Sequence, residues 1–165
     1  MVHIQESHEL LKSNENKELV KVVLESRFSA ANIEDLVRNK KFTLACMRDC
    51  FLKGEAPYAS HVIYAQTHIL DDFISEERAL GMHAGFLWGD LAFKTVVYTD
   101  LGISSGMEMG IERAKKQGRE IEYRALNFIP TVLPEEVHIE MLVIANQKKL
   151  LKQLQENFSI ESLKL

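Results

Sequence analysis

Apolar residues change their spacing several times along the chain, and each change marks an element. The stretch Met1–Lys17 is polar and weakly patterned; Ile4, Leu10 and Leu11 suffice for a short helix or a mobile arm. Val20–Leu24 is a valine-rich run of the kind a buried strand shows, and Glu25–Ala31 reads as the loop after it. Asn32 predicts an N-cap, with Asp35 three residues on, for a helix over 33–53 whose apolar positions are Ile33, Leu36, Val37, Leu44, Cys46, Met47 and Phe51 and which stops at Gly54. A second extended piece is expected over 56–65, with Pro57 at its start, where a missing N–H matters least. Residues 67–73 read as a loop holding Asp71 and Asp72. Ser75 is the expected cap of a helix to about Ala92, with Glu76 and Glu77 in its first turn.

Thr95–Thr99 is the clearest strand, a β-branched run ending at Tyr98. A glycine- and serine-rich loop over 101–105 leads into a helix over 106–117, which Gly118 ends, and Ile121–Leu126 is the fourth strand. Pro134 opens a long amphipathic helix to about Phe158, with Val137, Met141, Ile144, Leu151, Leu154 and Phe158 as its stripe. Strands and helices thus alternate. That order predicts an α/β fold, Rossmann-like and three-layered, with a mainly parallel sheet of four to five strands and an added C-terminal amphipathic helix. The divisions are an arm over 1–17, an α/β domain over 18–128 and a helical extension over 129–165. Ligands on such sheets sit at the carboxyl ends of the strands, here Glu25–Ala30, His61–Asp72 and Tyr98–Gly106.

Composition narrows the partners. The 165 residues carry a net charge of -4 and no long basic run, which disfavours duplex nucleic acid. No apolar stretch suits a signal peptide or a membrane span, so no membrane partner is expected and the expected compartment is cytoplasmic. Cys46 and Cys50 lie on one helix face, where a disulfide would be strained and two thiols make an incomplete zinc site; both read as small core residues. His68 and His83 show no ligand spacing, so no metal and no cofactor is assigned.

The third loop carries the most chemistry. Asp100 ends a strand, and Ser104, Ser105 and Gly106 open a helix whose free N–H groups suit an anion. Glu108 lies in the first turn. A carboxylate there can attack an anomeric carbon, or it can serve as the glutamate of a capping box Ser105-Gly106-Met107-Glu108. In the first loop Ser26 and Arg27 follow Glu25. Arg27 suits a phosphate or a surface ion pair, and Phe28 suits a base or an apolar plug. His61, Tyr64 and Asp72 are candidates for sugar or base contacts. His61 also reads as a satisfied half-buried histidine, and Asp72 as a turn-capping acid.

Five pieces together resemble one family: VVLESRFSA (Val22–Ala30), KGEAPYASH (Lys53–His61), LDDFISEERALGMHAG (Leu70–Gly85), KTVVYTDLGISSGMEMGIERA (Lys94–Ala114) and EIEYRAL (Glu120–Leu126). They are similar to the nucleoside 2-deoxyribosyltransferase-like superfamily, and more narrowly to a phage and bacterial branch of it. The resemblance implies a nucleoside or nucleotide ligand, chemistry at its N-glycosidic bond by a carboxylate nucleophile, and a bacterial or phage-infected cytoplasm. GMEMG (Gly106–Gly110) nominates Glu108 as the nucleophile, whereas aligning from Ala114 puts Gly110 at that position. The resemblance also implies a homo-oligomer, a dimer or higher, to which the tail helix contributes. A non-catalytic nucleotide-binding protein on the same scaffold, one that sequesters a signalling nucleotide, is the alternative function.

Overall fold

The computed structural model describes residues 2–66, 69–72 and 74–157. Its element order is α1 (Val2–Asn14), β1 (Val20–Glu25), α2 (Ile33–Leu52), β2 (Glu55–Tyr58), α3 (Ser60–Tyr64), α4 (Ser75–Gly89), β3 (Lys94–Tyr98), α5 (Ser105–Lys116), β4 (Glu120–Arg124) and α6 (Pro134–Asn157). The four strands form one all-parallel sheet in the order β2-β1-β3-β4. The fold is the expected Rossmann-like α/β architecture. From β1 the chain crosses to one side of the sheet, and from β2 and β3 it crosses to the other, so the switch in strand order lies between β1 and β3.

Period-two alternation splits the core. Val22 and Leu24 of β1, with Val96 and Tyr98 of β3, face α2 and pack on Phe42, Cys46 and Cys50. Val97 faces the opposite way, onto Met107 and Ile111 of α5. Both cysteines are free and buried. Burial pushes the Cys50 thiol up to about 11 and the Cys46 thiol higher still, so both are unreactive core groups.

The caps explain several boundaries. The Asn32 side chain accepts from Asp35 N–H at 2.8 Å and starts α2, as the spacing predicts. Gly54 and Gly118 adopt φ of 74° and 66° just past helix ends, a left-handed conformation that glycine enters without a Cβ penalty. The N-terminal segment is a helix rather than a loose arm. Its Asn14 side chain donates to the carbonyls of Phe51 and Leu52, closing the last turn of α2.

Three expectations need correction. The extended piece at 56–65 is only four residues long, because β2 pairs with β1 alone and the chain then turns into α3. Ser75 does not cap α4; it is the first helical residue, and its hydroxyl donates to Glu76. The cap of α5 is Ser104, with Met107 at the third helical position, so the capping box through Ser105 and Glu108 does not form.

Helix α6 rests on α2, not on the sheet. Lys40–Glu140 at 2.5 Å and Lys41–Glu136 at 2.7 Å tie the two helices. Val137, Ile144 and Leu151 are partly covered, whereas Met141 of the expected stripe is 55% exposed. Phe158 lies outside the described residues. Among the described residues no helix is long and apolar enough to cross a membrane.

Candidate functional site

A cleft opens at the carboxyl ends of β1 and β2, beside the N-terminus of α5, and runs beneath α4 towards Gly89 and Arg119. Its free space, open mouth included, is about 970 Å³. The room exists because the inner edge of α4 is glycine at every fourth position: Gly81, Gly85 and Gly89. A Cβ on Gly85 would stand 2.7 Å from Ser60 Cβ, and one on Gly89 would stand 3.0 Å from Val23 Cγ2. The helix therefore lies close over the β1–α3 floor at these glycines, and the larger Met82 and Phe86 form the roof between them.

Glu25 is the central group. It follows Val23 on the cleft face of β1, ends the strand, and projects towards α5. Gly110 of α5 makes its place: a Cβ there would overlap the Glu25 carboxylate. Among the described residues the Glu25 side chain has no hydrogen bond and no ion pair. Burial pushes its pKa up to about 8, and the nearby Arg119 guanidinium only partly offsets that. Glu25 is thus a mostly protonated acid at neutral pH, as a carboxyl in a poorly solvated site becomes. Arg119 is itself 7% exposed at its side chain, donates to Thr95 Oγ1 at 3.2 Å, and lies 3.6 Å from Asp90.

The first loop adds a relay of hydroxyls. Thr43 Oγ1 donates to the Asn39 carbonyl at 2.9 Å, so it must accept from Ser26 Oγ at 2.8 Å. Ser26 has then spent its proton, and its 3.2 Å contact with His61 Nε2 needs the histidine as donor. That assigns the Nε2–H tautomer. Burial lowers the His61 pKa to about 4, which keeps the ring neutral. Its ring also meets Phe28 at a centroid distance of 5.3 Å. His61 is therefore the satisfied histidine of the two sequence readings, and with Phe28 it walls the cleft.

At the other end of the cleft Arg78 pairs with Asp72 at 2.5 Å. Burial raises the Asp72 pKa, against the opposing pull of Arg78. Gly106 lies close to the Arg78 guanidinium, which would be 3.3 Å from a Cβ there. Ser104 and Tyr64 also line the cleft.

The structure therefore brings together Ser26, Phe28, His61, Tyr64, Asp72, Ser104 and Gly106 of the residues nominated from sequence. It places four others elsewhere. Glu108 and Ser105 are exposed and lie off the cleft. Arg27 donates to the Leu101 carbonyl at 2.8 Å and fastens the loop before α5. Asp100 accepts from Leu126 N–H at 3.1 Å and from Phe128 N–H at 3.4 Å, holding the chain after β4. Sequence reasoning placed Glu25 at a ligand-binding strand end without giving it a role, and missed Tyr58, Arg78 and Arg119 as cleft residues. The signal for Glu25 was its place two residues after Val23, on the same face of the strand. The signal for the close approach of α4 was its glycine spacing. Among the described residues no group of three or more His, Cys, Asp or Glu side chains could hold a metal ion.

Residues 20–124 match the family described as Domain of unknown function (DUF7768), and the chain belongs to that family. The matched span starts at the first residue of β1 and ends at the last of β4, so it contains every cleft element. No curated protein and no solved structure matches the chain.

Proposed function

We propose that this member of the family acts on the N-glycosidic bond of a nucleoside or nucleotide, with Glu25 as the reacting carboxyl. The observation that carries the reading is Glu25 itself: an unpaired acid, raised to about 8, in a cleft at the strand-order switch. The similarity of the surrounding segments to deoxyribosyltransferase-like proteins supplies the substrate class.

The chemistry follows from the protonation state. Glu25 donates its proton to a nitrogen of the leaving base as the C1′–N bond breaks, and the bonding pair leaves with the base. The carboxylate that remains is beside the electron-poor sugar carbon and stabilises it. Water then bonds to C1′ and returns a proton to Glu25, which restores the enzyme. A second base in place of water gives transfer instead of hydrolysis. Phe28 offers a ring for the base, and the Arg78–Asp72 pair at the mouth offers charged groups for the sugar or its phosphate.

The test is a chromatographic assay of a panel of deoxynucleosides and their 5′-monophosphates. Base release or exchange by the wild type, abolished in Glu25→Gln, is expected. The rate should fall as pH rises through about 8, because the acid form is the active one. No conversion of any compound, or turnover that survives Glu25→Gln, would overturn the reading. Depletion of one intact compound from solution would favour a binding protein.

A further inference from the structure

The cleft contains a second unpaired polar group. Tyr58 ends β2, and its register partner on β1 is Val23, so the ring lies on the same sheet face as Val23 and Glu25. Its hydroxyl is buried, with no hydrogen-bond partner among the described residues. Leaving such a hydroxyl unmet is unfavourable, and phenylalanine would fill the same place without that cost. Burial first, and a weak hydrogen-bonding interaction with the neighbouring Tyr64 hydroxyl second, raise the Tyr58 pKa, so the group keeps its proton. The two hydroxyls do not meet in hydrogen-bond geometry, and among the described residues the proton is left for an outside acceptor. The rest of the slot is apolar where it meets the roof, at Val23, Met82 and Phe86. A cleft between a helix and a sheet that sets apolar side chains beside separate polar groups suits a ring system with polar edges.

We propose that Tyr58 is a specificity-determining residue whose hydroxyl donates to a hydrogen-bond acceptor on a flat heteroaromatic ligand lying beside Glu25. This deepens the reading of the cleft as a nucleoside site, since a base is such a ligand. A site that hydrogen-bonds its ligand rejects an isostere lacking the acceptor far more strongly than an apolar site does.

The experiment compares the wild type with Tyr58→Phe, which removes one oxygen and keeps the ring. Quinoline and naphthalene have nearly the same shape, and only quinoline carries an acceptor nitrogen. Their dissociation constants are measured by NMR titration, and the melting temperature is taken without ligand. The expected result is quinoline bound about tenfold tighter than naphthalene by the wild type, a difference of about 1.4 kcal/mol. In Tyr58→Phe that ratio should fall close to one, with naphthalene binding kept and the melting temperature equal or higher. A wild type without preference for quinoline overturns the proposal, as does a preference that survives in the variant. A lower melting temperature in the variant overturns it too, because the hydroxyl would then have a partner within the fold. The same proteins are carried through the nucleoside assay. A Tyr58-dependent preference for quinoline without any nucleoside turnover would leave this inference standing and remove the N-glycosidic reading. Turnover indifferent to Tyr58→Phe would do the reverse.

Discussion

The two faces of the sheet treat their central polar groups in opposite ways. On the α2 face the charged side chains are paired. Arg124 grips Glu55 with both terminal nitrogens, at 2.8 and 2.7 Å, and its Nε reaches Glu122 at 2.6 Å. Lys94 joins the same two carboxylates at 2.6 and 2.7 Å. Tyr98 donates to Asp49 at 2.7 Å. Burial works against the charges of both Glu55 and Arg124, yet the hydrogen bonds between them prevail: the Glu55 pKa is lowered and that of Arg124 raised. On the α4–α5 face Arg78–Asp72 and Arg119–Asp90 pair at the two ends of the cleft. Among the described residues, however, Glu25 between them has no such partner, its pKa is raised to about 8, and the Tyr58 hydroxyl makes no hydrogen bond in good geometry. The thickness of one sheet separates a closed network from an open one. A fold that can satisfy five charged side chains on one face is capable of doing so on the other. Open groups within one cleft are the pattern a ligand site requires.

The largest expected effect comes from opening the closed face. Arg124→Met leaves Glu55, which is 3% exposed, with Lys94 as its remaining partner. Removing one member of a buried pair commonly destabilises by several kcal/mol. About 3 kcal/mol is expected here, because Lys94 retains part of the pairing. Urea unfolding would measure it. A change below about 0.5 kcal/mol, the scale of a surface substitution, would show that the network is not a source of rigidity, and the contrast between the faces would lose its meaning.

The next effect has the opposite sign. Folded Glu25 titrates at about 8 against an ordinary 4.5. Between those values the folded chain holds a proton that the unfolded chain releases, so stability falls as pH rises across the window. Glu25→Gln removes that loss. The variant should melt higher than wild type at pH 8.5, by up to ~5 kcal/mol in stability, and similarly at pH 4.5, while losing turnover. His61 produces the mirror image. Its pKa falls from 6.5 to about 4 on folding, so the unfolded chain gains a proton that the folded one refuses, and stability falls as pH drops from 6.5 towards 4. His61→Gln should flatten that acid limb alone. Melting curves from pH 4 to 9 on the three proteins separate the two contributions. A Glu25→Gln curve parallel to wild type would mean that the carboxyl is ordinarily charged.

These differences also show where sequence reading reaches. Alternating apolar runs, Asn32, Gly54 and Gly118 each act through local backbone chemistry, so the order and most ends of the elements were legible. The shortness of β2 was not, because only strand pairing decides how long an edge segment stays extended. Glu25 looked like a polar loop opening, since its partner in space, Gly110, is 85 residues away. The unmet hydroxyl of Tyr58 depends on which groups fail to reach it, and no spacing records an absence. Glu108 and Gly110 illustrate the helix case. Two residues on α5 turn a side chain about 200°, so one faces solvent and the other the cleft.

That rotation makes the smallest prediction the most discriminating. Glu108 is exposed in the first turn of α5, where a carboxylate gains roughly 0.3–1 kcal/mol from the helix dipole. Glu108→Gln should therefore cost no more than about 1 kcal/mol and leave turnover of a deoxynucleoside unchanged. Gly110→Ala supplies the contrast. Its methyl group claims the space of the Glu25 carboxylate, so the acid must swing aside and turnover should drop at least tenfold, although no charge is altered. Both variants are read by the same base-release assay and by urea unfolding. Loss of turnover in Glu108→Gln with full activity in Gly110→Ala would return the reacting carboxyl to the helix, since a side chain pointing into solvent in the free protein would then have to rotate inward with substrate. The opposite outcome fixes the chemistry at the end of β1, where the strand, not the helix, aims the acid.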